Sequence, residues 1–83
     1  MSEMVTVYSK PRCVQCTATY RYLDARGIEY QVVDLTESEA ALAYVSEDLG
    51  YFAAPVVVVV DDQNHWSGFR PDRIDLIGAE AAS

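Results

Sequence analysis

The chain has 83 residues, 51% of them hydrophobic, with 6 basic against 13 acidic residues and a formal charge of -7. That length reads as one domain, 1–83, near the lower limit for a self-sufficient core, and that apolar content is too high for disorder. The acidic balance excludes nucleic acid as a partner and disfavours anionic membrane surfaces, because both are held by basic faces.

No stretch approaches the ~20 apolar residues of a membrane span. The N-terminus has no basic-then-apolar signal pattern. The two cysteines are too few for a secreted disulfide scaffold. The expected compartment is the cytoplasm, where the charge serves solubility. There the cysteines would cycle between dithiol and disulfide.

Taken in order, Met4-Val5-Thr6-Val7-Tyr8 alternates as a strand does. Ser9-Lys10-Pro11-Arg12 breaks the pattern, since Pro11 cannot continue a sheet ladder. From Cys13 to Arg26 the spacing is helical, with Cys16, Tyr20 and Leu23 on one stripe and Ala18, Tyr22 and Ala25 on the next. Gly27 fits the helix stop. Ile28-Glu29-Tyr30-Gln31-Val32-Val33 reads as a second strand. Strand, helix and strand over about thirty residues predict a βαβ unit with parallel strands.

Thr36-Glu37-Ser38-Glu39 matches a capping box, with Thr36 as cap and Glu39 reaching back. The following helix is predicted over about 37–48, burying Ala41, Val45 and Leu49, and stopping at Gly50. The valines Val56 to Val60 cannot alternate apolar with polar, so they predict a strand covered on both faces. Asp61-Asp62-Gln63-Asn64 is a turn, and His65-Trp66-Ser67 a strand returning antiparallel. Pro71 suits the first position of a last helix, with Phe69 and Ile74 as its hydrophobic staple. That helix is predicted to about Ile77, with residues 79–83 frayed. The order is β-α-β-α-β-β-α: an α/β fold with a mixed four-stranded sheet flanked by three helices.

The chemistry concentrates in Cys13-Val14-Gln15-Cys16, a Cys-x-x-Cys at a strand-to-helix junction. A sulfur at the head of a helix lies near unpaired backbone N–H groups and the positive end of the dipole. Lys10 and Arg12 add positive charge. Together they are expected to hold the Cys13 thiol below the ordinary ~8.5 and make it the attacking thiolate. Cys16, one turn on and on the buried stripe, would resolve the mixed disulfide. Side chains at i and i+3 are neighbours, within the ~4.4–6.8 Å Cα spacing a disulfide tolerates. A zinc site wants four ligands, and beyond the pair only His65 remains, so no metal is expected.

Two further stretches are candidates. Pro55, after Ala54, opens the valine strand beside the redox loop. Only ~5–6% of X–Pro bonds are cis, so the sequence by itself favours trans. Trp66-Ser67-Gly68-Phe69 sets two aromatics around two small residues. It reads equally as a docking surface, with Gly68 admitting a close backbone, or as a turn glycine between core aromatics. His65 reads as an ordinary residue outside the site. Arg70 and Arg73 read as solvated or paired with Asp72 and Asp75. The tyrosines Tyr8, Tyr20, Tyr22 and Tyr30 read as core edges.

Cys13-Val14-Gln15-Cys16 with Trp66-Ser67-Gly68-Phe69-Arg70-Pro71-Asp72, and Ala54-Pro55-Val56-Val57 between, closely resembles the NrdH-redoxins. The likeness runs from Val5 to about Ile77, and the tryptophan segment makes it specific. It implies a thioredoxin fold of the minimal glutaredoxin kind, Cys13 as nucleophile, Cys16 as resolving thiol and Pro55 as cis. It implies a dithiol–disulfide oxidoreductase delivering electrons to the large subunit of class Ib ribonucleotide reductase. Thioredoxin reductase would recharge it with electrons from NADPH, and no cofactor would be bound. Lys10, Arg12, Val14, Gln15, Ala54, Pro55 and Trp66 to Phe69 would form the partner face of a monomer. The Gly-Gly-x-Asp-Asp pattern of glutathione-binding glutaredoxins is absent, so glutathione is expected to serve poorly. The acidic tail and the extra N-terminal residues depart slightly from the family length. Two other readings compete: a glutathione- or mycothiol-dependent reductase, and a module holding zinc or an iron–sulfur cluster between two chains.

Overall fold

Val5 and Val7 point one way along the first strand, and in the computed structural model both are buried. The described residues are 5–59 and 64–82, with side chains as far as residue 77. The elements are β1 (Val5–Ser9), α1 (Val14–Ala25), β2 (Gln31–Asp34), α2 (Glu39–Ala43), β3 (Val56–Val59), β4 (Asn64–Ser67) and α3 (Pro71–Ala82). The sheet order is β2-β1-β3-β4. β1 and β2 are parallel, and β1–β3 and β3–β4 are antiparallel. This is the expected mixed four-stranded sheet with three helices.

The valine strand sits where its composition demands. All four residues of β3 are buried. Val57 and Val59 join Val5, Val7, Leu23, Ile28, Trp66, Ile74 and Ile77 on one face of the sheet. Val56 and Val58 join Val45 on the other, with Tyr8, Leu35, Tyr44, Leu49 and Tyr51 packed around them. One face is therefore covered by α1 and α3, the other by α2 and its continuation. A strand between two such layers has no polar face to present. The expected fifth residue, Val60, and the turn at 61–63 lie outside the described residues, and β4 begins at Asn64.

Local chemistry explains most boundaries. Gly27 adopts φ 70°, and Ile28 N–H reaches back to the Leu23 carbonyl at 3.0 Å. Gly27 N–H bonds the Asp24 carbonyl at 3.1 Å, so α1 ends in a Schellman motif whose Leu23 and Ile28 side chains share the core. Because Ile28 serves that stop, β2 starts at Gln31 rather than at Ile28. It is an edge strand, and Val32 is exposed. On α1 the buried stripe is Cys16, Thr19 and Leu23, not the predicted Cys16, Tyr20 and Leu23. Thr19 can be buried because its hydroxyl donates to the Gln15 carbonyl at 2.9 Å. Tyr20 and Tyr22 lie at the core edge, and Ala25 is exposed.

The predicted capping box is displaced by two residues. Asp34 Oδ1 accepts from the Thr36 N–H at 2.8 Å and from its hydroxyl at 2.6 Å. That local turn engages Thr36. Ser38 caps α2 instead, accepting the Ala41 N–H at 3.1 Å. The predicted helix to Asp48 is α-helical only to Ala43 and continues as a π-helical turn, Tyr44–Asp48. Val45 is its buried residue, while Ala41 and Leu49 are half-buried. Pro71 opens α3 as predicted, with Phe69 and Ile74 both packed on the core. The helix continues past Ile77 to Ala82.

Candidate active site

The register of the sheet gathers the candidate residues at one end. Tyr8 pairs with Val56, and Val56 pairs with Ser67. The loop after β1, the loop before β3 and the loop after β4 therefore leave from one row of the sheet. These three loops carry Lys10 to Cys13, Ala54-Pro55 and Gly68-Phe69.

Pro11 and Arg12 form the turn into α1, with Arg12 in the left-handed region at φ 60°. Cys13 is the N-cap of α1 in extended conformation. Its sulfur accepts the Cys16 N–H at 3.1 Å, and its carbonyl accepts the Thr17 N–H at 3.1 Å. The Cys13 and Cys16 Cα atoms are 5.1 Å apart and the two sulfurs form a disulfide. Cys13 is half-buried, whereas Cys16 is 2% exposed. The accessible sulfur thus sits at the helix head, where a backbone N–H and the dipole stabilise negative charge. Lys10 and Arg12 are both exposed beside it, and Val14, 83% exposed, presents an apolar side chain next to the pair.

The Ala54–Pro55 peptide bond is cis. Base rates favoured trans and the resemblance implied cis; the structure agrees with the resemblance. Pro55 is buried, and its carbonyl accepts the Gly68 N–H at 2.8 Å. Ser67 Oγ donates to the Ala53 carbonyl at 2.8 Å. Phe69 N–H donates to Gln15 Oε1 at 3.0 Å. The Trp66–Phe69 segment is therefore tied on one side to the proline loop and on the other to the redox helix. Within it, Trp66 is not a surface aromatic. It is 4% exposed and belongs to the core, its indole N–H without a hydrogen-bond partner among the described residues. Phe69 is half-buried and meets Tyr22 edge-on at 5.8 Å. The two readings of this segment divide between its aromatics.

Beside Lys10 and Ala54 lies a groove of about 280 Å³, walled by Leu42, Val45, Tyr51 and Phe52. Phe52 is 89% exposed at its rim. His65 is not isolated: its Nδ1 lies 2.8 Å from the Tyr51 hydroxyl, linking β4 to this groove.

A cluster that the sequence did not announce lies behind Phe69. Tyr22 OH donates to Asp75 Oδ1 at 2.9 Å, and Arg26 Nε donates to the same oxygen at 2.6 Å. Arg26 also bonds the Tyr22 hydroxyl. The hydrogen bond from Arg26, followed by that from Tyr22, holds the Asp75 carboxyl below its ordinary value. The hydrogen bond to Asp75, then burial, pushes the Tyr22 hydroxyl up. The sequence reads Arg70 and Arg73 as solvated or paired with Asp72 and Asp75; the ion-pair partner of Asp75 is instead Arg26, 49 residues away. Arg70 does pair locally, with Asp72 at 3.1 Å.

Among the described residues, no group of three or more His, Cys, Asp or Glu side chains is placed to hold a metal ion. No described helix is long and apolar enough to cross a membrane.

A Glutaredoxin family model matches residues 5–66. The glutaredoxin-like protein NrdH of Escherichia coli (strain K12) is 39% identical over 74 residues, covering 88% of this chain and 86% of that protein. The Gene 56 protein of Mycobacterium phage D29 is 38% identical over 71 residues, covering 86% of this chain and 78% of its own length. The solved structure of the glutaredoxin-like NrdH-redoxin from Escherichia coli, a protein described as having a thioredoxin-like activity profile, superposes with a TM-score of 0.79 at 35% identity. That match covers 89% of this chain and 93% of the other, so the fold is thioredoxin-like. The chain belongs to the glutaredoxin family and, within it, to the NrdH-redoxins: it is a thiol–disulfide oxidoreductase carrying the Cys13–Cys16 pair.

Proposed function

We propose that this protein is an electron donor to class Ib ribonucleotide reductase, recharged by thioredoxin reductase with NADPH as the source. The observation that carries the reading is the junction of Cys13-Val14-Gln15-Cys16 with Trp66-Ser67-Gly68-Phe69 through the Gln15–Phe69 hydrogen bond. The segment that distinguishes this family from glutathione-binding glutaredoxins is thereby part of the redox face. The thioredoxin-like activity profile ascribed to the Escherichia coli relative supports the same electron route. The protein would work as a monomeric single domain in the cytoplasm.

In the mechanism, the Cys13 thiolate attacks one sulfur of the partner disulfide. A Cys13–partner disulfide forms, the partner S–S bond breaks, and the departing thiolate takes a proton. Cys16, deprotonated, then attacks Cys13 Sγ. The Cys13–Cys16 bond forms, and the second partner thiolate leaves and is protonated. Two electrons pass to the partner, and the two protons it gains balance those lost by the two cysteines. The Cys16 N–H on Cys13 Sγ stabilises the Cys13 thiolate and so raises the fraction of Cys13 ready for the first attack. The thiolate that leaves in the second step is the partner's. Lys10, Arg12, Val14, Ala54, Pro55, Gly68 and Phe69 frame the approach, and the groove beside Lys10 receives the partner chain.

The test is NADPH oxidation in a coupled assay of this protein, thioredoxin reductase and the ribonucleotide reductase. Steady turnover is expected. If glutathione or mycothiol sustains turnover while thioredoxin reductase does not, the proposed route is wrong.

A further inference from the structure

Gln15 lies between the two cysteines, yet its carbonyl is turned away from them and onto the far segment. Phe69 N–H donates to Gln15 Oε1 at 3.0 Å. The fit is close: a Cβ on Gly68 would stand 3.2 Å from the same oxygen. Phe69 precedes α3, so its N–H is not claimed by the helix. Without Gln15 that donor would face solvent. The bond joins residues 54 apart and is the hydrogen bond by which the Trp66–Phe69 segment is held to α1. Of the segment's other ties, the hydrogen bonds of Gly68 to Pro55 and Ser67 to Ala53 run to the proline loop. Phe69 meets α1 again only by ring packing on Tyr22, which leaves its backbone free to shift.

We propose that Gln15 is a positioning residue. It sets the Gly68–Phe69 backbone in register with Cys13, so that a protein disulfide is met by the thiol and the segment together. A small disulfide touches the thiol alone. The chemistry of exchange is unchanged, and Gln15 neither donates nor receives electrons. This rests on the reading that the partner is a protein docking on that segment.

Two variants separate the acceptor from the side chain's bulk. Gln15→Met keeps length and helix propensity but has no comparable acceptor. Gln15→Glu keeps an oxygen where Oε1 now lies. Pre-reduced protein is oxidised in single turnover by insulin and, separately, by hydroxyethyl disulfide. The ratio of the two rate constants divides out any change in the sulfur itself. Gln15→Met is expected to lower that ratio about fivefold, in keeping with the loss of one hydrogen bond, and to speed Phe69 amide exchange by a similar factor. Gln15→Glu is expected to restore both to within about twofold of the parent. An unchanged ratio in Gln15→Met overturns the proposal, as does a ratio that Gln15→Glu fails to restore. If the parent draws no electrons from thioredoxin reductase while the ratios behave as expected, the electron route falls and the role of Gln15 stands.

Discussion

Arg26, just past the end of α1, reaches Asp75 in α3 at 2.6 Å across 49 residues of sequence. Tyr22 shares the same carboxylate oxygen and leans on Phe69, so the pair braces the back of the partner segment. The pH dependence follows from the shifts. Asp75 lies below its ordinary 3.8, so its contribution is fully present above that value and is lost as pH falls through the lower folded one. Tyr22 lies above its ordinary 10.0, so its contribution is present below that value and lost as pH rises through the raised one. Urea unfolding of the parent and Asp75→Asn is expected to differ most between about pH 5 and 9 and to converge toward pH 2. A difference that persists undiminished at pH 2 would show that the carboxylate is not its source.

The two sulfurs differ in access, and this predicts different trapping. Cys16→Ser is expected to accumulate a mixed disulfide with an oxidised partner, visible as a covalent adduct by mass spectrometry. Cys13→Ser is expected to form none, because Cys16 is 2% exposed. Adducts on the Cys13 variant would reverse the two roles.

Gly68 is confined by two demands at once. Its φ is 89°, and a Cβ would meet Gln15 Oε1 at 3.2 Å. Gly68→Ala is expected to destabilise by about 1–2 kcal/mol from the backbone alone. Combined with Gln15→Ala it is expected to cost less than the sum of the two single changes, since one contact is lost in both. Additive losses in chemical denaturation would refute the contact.

The helix cap offers a comparison of two neighbouring hydroxyls. Ser38→Ala removes the acceptor that holds the Ala41 N–H and is expected to cost about 1 kcal/mol. Thr36→Ala removes only the exposed hydroxyl's bond to Asp34, while its N–H bond to the same oxygen remains. It is expected to cost less than half as much, within the ~0.5 kcal/mol of ordinary surface changes. Denaturation midpoints of the two variants decide the order.

What was legible in the chain was local. The valine run reads as a strand covered on both faces because no residue in it tolerates water. Gly27 reads as a stop because glycine takes the positive φ of a helix end without strain. Pro71 reads as a start because its ring fixes a helical φ and its missing N–H is not needed in the first turn. Thr36 and Ser38 both offer a capping hydroxyl, and choosing between them required knowing that Asp34 engages the first. Thr19 was invisible as core, since burial of its hydroxyl depends on the Gln15 carbonyl one turn back.

The sequence by itself determined the reaction: two cysteines a helical turn apart, at a helix head, with nothing else suited to redox work. It also set the order of strands and helices. The tertiary structure decided how that reaction is framed. It set the cis bond at Ala54–Pro55, sent Trp66 into the core while leaving Phe69 at its edge, and brought Gln15 and Asp75 to partners 54 and 49 residues away. Residue preferences act over a turn or two of chain. Contacts at such separations depend on strand register and helix packing, which exist only once the sheet has formed.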